Sequence, residues 1–174
     1  CDMENNYYSE FSKFGKNPGE LYWPCSLAFD SEDNLYVSDE YTNLISIFDK
    51  DGNFINRWGC KGQKNGEINF PSGIAIDDND NLYIADNMND RIQVFTLKGD
   101  FIRSWGKEGN NEGEFNKPWG IKVYGDKILV ADWRNARIQI FDKDGKFLAK
   151  FGESEKEEEN LFRPSDVAID KNNF

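Results

Sequence analysis

Carboxylates are the side chains best supplied for chemistry in this chain, and they come in clusters. Asp77-Asp78-Asn79-Asp80-Asn81 is one such run, and Asp49–Gly52 and Asp142–Gly145 both read Asp-Lys-Asp-Gly. Clusters of this kind invite a calcium reading, because calcium takes about six to eight oxygen ligands. The ligand pattern fails on inspection. No bidentate Glu closes the Asp-Lys-Asp-Gly runs, and Leu82 stands where a calcium loop places Gly. Hairpin turns account for these stretches. Histidine is absent from all 174 residues. Within this chain, His-ligated zinc, His general bases and His-based triads are therefore excluded. A metal site built from carboxylates and Asn stays open. Cys1, Cys25 and Cys60 form no CxxC, and their odd number gives neither a disulfide framework nor a zinc site.

Two charge pairs recur at one spacing, Asp86 with Arg91 and Asp132 with Arg137. Recurrence at one register points to an Asp–Arg bracket holding a turn rather than to a reacting pair. The net charge of −11 disfavours broad nucleic-acid binding, which depends on Lys and Arg neutralising phosphates. It favours solubility and basic or neutral partners. The acidic run Glu153 to Glu159 reads as a solvated loop. No apolar run approaches the ~18–20 residues of a transmembrane helix. Cys1 suits a processed lipoprotein terminus and a fragment edge equally, so the compartment is left open.

The elements that would position these residues are strands. From Phe70 to Gly106 four short apolar runs alternate with polar turns: Gly73–Ile76, Leu82–Ala85, Ile92–Phe95 and Phe101–Trp105. Each is rich in β-branched and aromatic residues and is bounded by Asn, Asp or Gly. Gaps this short permit only hairpins, so the unit is an antiparallel meander. Such a sheet is apolar on both faces and needs a similar sheet against each. Copies supply them. Proline recurs at Pro24, Pro71, Pro118 and Pro164, in steps of 47, 47 and 46 residues. The Asp ending the second strand recurs at Asp39, Asp86 and Asp132. Four strands in a unit of ~40–50 residues is the anatomy of a propeller blade.

The units resemble NHL repeats. The resemblance rests on Pro71-Ser72-Gly73-Ile74-Ala75-Ile76-Asp77, Tyr83-Ile84-Ala85-Asp86 and Asn89-Asp90-Arg91-Ile92-Gln93-Val94-Phe95. The third copy repeats it with Ala131-Asp132 and Asn135-Ala136-Arg137-Ile138-Gln139-Ile140-Phe141, while the first departs from it at Thr42 and Leu44. The resemblance implies an all-β fold of four-stranded antiparallel blades closing a ring of six. On that basis we read the chain as a piece of a longer ring. We expect a polar tail over 1–6, an outer strand over 7–15, blades over 23–59, 70–106 and 117–152, and the start of a further blade over 163–174.

Function is best sought where the copies differ at positions the fold leaves free. In propellers of this kind one face gathers the linkers, the turns between second and third strands, and the channel mouth. On the inner strand, Lys122 replaces the Ala of the other copies (Ala28, Ala75, Ala168), and Asp166 replaces their Ser26, Gly73 or Gly120. Both fall on the same strand parity of adjacent blades, so an ion pair on the channel wall is one reading, and a Lys122 that pairs with a local carboxylate and fills space is the other. The turns hold Glu40-Tyr41, Asn87-Met88 and Trp133-Arg134 at equivalent places, and Trp119 follows the third proline. Trp, Tyr, Met and Arg are the residues enriched in interfaces. The expectation is a non-catalytic module binding a protein, a peptide or a small ligand through this face, with no cofactor. The alternative, implied by related folds, is part of a metal-dependent six-bladed hydrolase or lactonase, with calcium as the metal.

Overall fold

The computed structural model describes residues 10–152 and 161–169. Twelve strands form three sheets of four. The first sheet is β1 (Pro24–Phe29), β2 (Leu35–Asp39), β3 (Leu44–Phe48) and β4 (Phe54–Trp58). The second is β5 (Pro71–Ile76), β6 (Asn81–Asp86), β7 (Arg91–Thr96) and β8 (Phe101–Trp105). The third is β9 (Pro118–Tyr124), β10 (Lys127–Asp132), β11 (Arg137–Asp142) and β12 (Phe147–Phe151). Within each sheet the strands lie in chain order and pair antiparallel, as propeller blades do. Each inner strand opens on proline, where no ladder donor is required. No described helix is long and apolar enough to cross a membrane.

Strand alternation explains why the middle strands are buried on both faces. Leu82 and Ile84 of β6 join Tyr36, Ile45, Ile47 and Phe95 in the core between the first and second blades. Their neighbours Tyr83 and Ala85 point the other way, into the core with Ile121, Ile128, Val130 and Phe141 of the third blade. Inner strands of successive blades approach so closely that a Cβ on Gly73 would lie 2.4 Å from the Trp119 carbonyl oxygen. The outer flank of the first blade is different, with Leu27 62% and Phe29 58% exposed.

The carboxylate clusters are turns. Asp49 Oδ1 accepts the N–H groups of Asp51 and Asn53, and Asp142 Oδ1 those of Asp144 and Lys146. Asp77 does the same for Asn79 and Asn81, and also accepts the Tyr83 hydroxyl. Lys143 of the third blade reaches it at 3.5 Å. Burial would raise the Asp77 pKa, but the Asn81, Asn79 and Tyr83 donors outweigh it and hold the carboxyl below its usual value. A carboxyl with a lowered folded pKa contributes stability that is whole above its unfolded value, near about pH 4, and lost as pH falls through the folded value. Acid unfolding followed by circular dichroism should therefore show a loss of stability beginning below about pH 4. Asp77→Asn, less stable at neutral pH, should show a shallower fall.

Two flanking segments carry no strand among the described residues. Residues 1–9, which hold the expected tail and part of the expected outer strand, lie outside the described residues. Over residues 10–14 there is no strand, only an isolated parallel bridge from Phe14 to Leu21. Equivalent bridges join Lys61 to Ile68 and Glu108 to Phe115, so this stretch behaves as a linker edge. The further blade, described to residue 169, forms no strand either. Val167 and Ile169 pack on Leu129, Ala131, Ile138 and Ile140 of the third blade, but no ladder partner pairs with them among the described residues.

Candidate functional site

The turns between second and third strands are fixed from beneath by the repeated aspartates. Asp132 is fully buried, and its Oδ2 accepts Arg137 Nε at 2.8 Å, Asn135 Nδ2 at 2.9 Å and Gln139 Nε2 at 3.1 Å. Its Oδ1 takes the Asn116 N–H at 2.7 Å. Asp86 repeats the set with Arg91, Asn89, Gln93 and the Asn69 N–H. Burial pushes both carboxyls above the ordinary aspartate value, and the amide, guanidinium and backbone donors oppose it. The bracket expected from the spacing is present, and it extends further. Arg137 also donates to the carbonyls of Asn110, Asn111 and Glu114, and Gln139 to that of Glu114, which ties the linker down. The linker glycines Gly19, Gly66 and Gly113 all sit near φ +80 to +86, the left-handed region that favours glycine.

Short 3₁₀ turns at Asn87–Asn89 and Trp133–Asn135 follow the bracketing aspartates of the second and third blades. A second clip then joins neighbouring blades. Asn43 and Asp90, both left-handed, accept the N–H of the residue before the next blade's proline, Phe70 and Lys117 respectively. Ala136 holds the same place at φ +54 with no side-chain acceptor. A non-glycine residue there costs about 1–2 kcal/mol, and Asn tolerates it best. Ala136→Asn should raise stability by about 1 kcal/mol in urea unfolding, by easing the backbone and restoring the clip.

These two devices place the turns of three blades around one groove of about 400 Å³. Six of the residues singled out by their divergence line it: Glu40, Asn87, Met88, Trp119, Trp133 and Arg134. Phe70 and Lys117, which the sequence reading passed over, complete it. The indoles of Trp119 and Trp133 lie 5.9 Å apart at 45°. Met88 is 46% exposed at the rim. Asn87 is buried and donates to the Pro118 carbonyl at 3.0 Å, locking the turn to the inner strand of the next blade. The surface is an apolar floor with charged groups at its edge.

The remaining candidates lie elsewhere. Tyr41 stacks on Tyr22 at 4.3 Å and meets Trp23 edge-on, with Lys16 Nζ 4.3 Å above its ring. It packs on the linker that leads into its own blade and is 43% exposed. Lys122 and Asp166 do not form an ion pair. Lys122 lies beside Leu27, Phe29 and Ile76, whereas Asp166 shares the channel mouth with Ser26, Gly73, Trp119 and Gly120. Two residues along a strand are about 6–7 Å, enough to set them at different levels. Cys25, also at the mouth, has its thiol pushed up to about 12 by burial and by the neighbouring Glu40 carboxylate. The side chain is exposed, and the raised value favours its protonated form at neutral pH. Among the described residues no three Cys, Asp or Glu side chains gather as metal ligands.

The family model of DUF5128, described as a 6-bladed beta-propeller, matches residues 25–106 and 107–174. The chain belongs to this propeller family. No curated protein matches it by sequence. Among solved structures, this DUF5128 chain is similar to a streptogramin B lyase at 14% identity and a TM-score of 0.67, covering 98% of this chain and 51% of that one. Kuenenia stuttgartiensis hydrazine synthase gives 16% identity and 0.66, over 94% and 44% of the two chains. Virginiamycin B lyase from Staphylococcus aureus gives 15% and 0.61, over 84% and 45%. The DUF5128 chain thus spans about half the length of the structures it matches, and these likenesses show the fold alone.

Proposed function

We propose that this propeller is of the NHL kind and serves as a non-catalytic binding module, taking a protein or peptide on the face that carries the linkers. The observation behind the proposal is convergence. Residues that differ between blades meet in one apolar groove, at Met88, Trp119, Trp133 and Arg134. Structural pressure would have kept them alike, as it kept Asp39, Asp86 and Asp132. Indole, thioether and guanidinium groups around a groove are the chemistry of interface anchors. A random peptide library selected against the full chain tests the reading. Enriched sequences should bind about tenfold or more weakly to Trp133→Ser, with circular dichroism unchanged. Absence of enrichment, or binding indifferent to Trp133→Ser and Met88→Ser, would reject it.

A further inference from the structure

One blade boundary departs from its predecessor in a way that leaves a cation stacked on Trp133, beside the groove. At the boundary of the second and third blades, the residue before proline is Lys117, and Asp90 neutralises it. The Asp90 carboxylate accepts the Lys117 N–H at 2.8 Å and lies 2.9 Å from its Nζ. At the next boundary the same two places hold Arg163 and Ala136. The cation is kept and its acid is gone. Arg163 lies with its guanidinium carbon 5.1 Å from the centroid of the Trp133 ring, and that of Arg134 lies 5.6 Å from the same ring. Among the described residues neither arginine has a carboxylate within ion-pair distance. The chain has 32 acidic residues against 21 basic ones, so two arginines on one indole, with no ion-pair partner among the described residues, stand against its overall charge, with Glu40 the one carboxylate lining the groove.

We infer that the groove recognises an acidic peptide, whose apolar side chain seats against Trp119, Trp133 and Met88 while its carboxylate is held by Arg134 and Arg163. This deepens the binding-module reading and rests on it. A guanidinium presents a planar fork that matches a carboxylate, and stacking on an indole fixes its orientation without consuming its donors. The rest of the molecule, at a net charge of −11, repels an acidic ligand, so attraction is confined to this corner.

Isothermal titration of the full chain with three synthetic pentapeptides tests this: acetyl-Leu-Asp-Leu-Asp-Leu-amide, its Asn isostere and its Lys counterpart. The acidic peptide should bind about tenfold more tightly than the Asn form, and the margin should shrink as salt rises. Ala136→Asp, which returns to Arg163 the acid that Lys117 already has, should erase the margin. Ala136→Asn, which restores the backbone clip without charge, should keep it, and both variants should melt no lower than the parent chain. Equal binding of acidic and neutral peptides, or an Ala136→Asp variant that keeps the margin, overturns the acidic preference and leaves the binding module standing. Tighter binding of a short oligo-dT than of the acidic peptide overturns it in favour of a nucleic-acid ligand. Failure of all three peptides also overturns it, and the unbiased library selection then decides the wider reading.

Discussion

Replacing Arg137 with methionine should lower the unfolding free energy by about 3–5 kcal/mol. The side chain is 1% exposed and its partner Asp132 is wholly buried. Methionine fills much of the volume but donates nothing. Asp132 then keeps its burial and loses its charge partner, the Asn110 carbonyl loses the arginine donor, and those of Asn111 and Glu114 each lose one of two donors. Removing one member of a buried pair costs more than removing both, so Asp132→Asn combined with Arg137→Met should recover part of the loss. Arg91→Met should cost less, because that arginine is 12% exposed. The first blade shows that the turn can be held otherwise. Leu44 stands in the arginine's place, and Asp39 is satisfied by the N–H groups of Tyr22, Trp23 and Thr42. Chemical denaturation of the single and double variants would check the order.

Truncating Phe115 to alanine should cost a similar amount, about 3–5 kcal/mol. Phe115 is the apolar residue of the third linker, fully buried in the core between the second and third blades. Its ring lies 5.5 Å from that of Phe141 and presses on Gly106, where an added Cβ would fall 2.5 Å from it. Its N–H is bonded to the Lys107 carbonyl, so the backbone is held and the cavity cannot collapse readily. Ile68, buried at the preceding boundary, should follow with a smaller loss, and Leu21, only partly buried, with the least. Thermal melts of Phe115→Ala, Ile68→Ala and Leu21→Ala would rank them. A flat series would mean that the linkers do not seal the gaps between blades.

The blades were legible because their causes are local and repeated. Proline at one period, Asp closing the second strand and strict alternation through Leu82-Tyr83-Ile84-Ala85 leave a stacked meander as the one economical solution. The groove was legible for the opposite reason: Met88, Trp119, Trp133 and Arg134 break a pattern that structure elsewhere preserves. Phe70 and Lys117 were not found, because a residue before proline is expected in extended backbone. Both instead adopt φ near +56 to +57, which turns them into the groove. Gln93 and Gln139 read as ordinary polar positions of a strand. Only the packed linker shows that their amides bond to Glu67 and Glu114. The Lys122–Asp166 pairing failed because parity along a strand gives the face of a side chain but not its height in the channel.

The tryptophans at the ends of the first two blades have a use beyond packing. Trp58 lies 5.1 Å from Phe95 and donates to the Leu97 carbonyl, while Trp105 lies 5.8 Å from Phe141, so each sits in a different seam. Each seam thus carries its own optical reporter. In an array stabilised by nearest-neighbour contacts, opening can begin at one seam and spread to the other. Chains retaining one of these indoles at a time would show by fluorescence whether the seams part together or in turn.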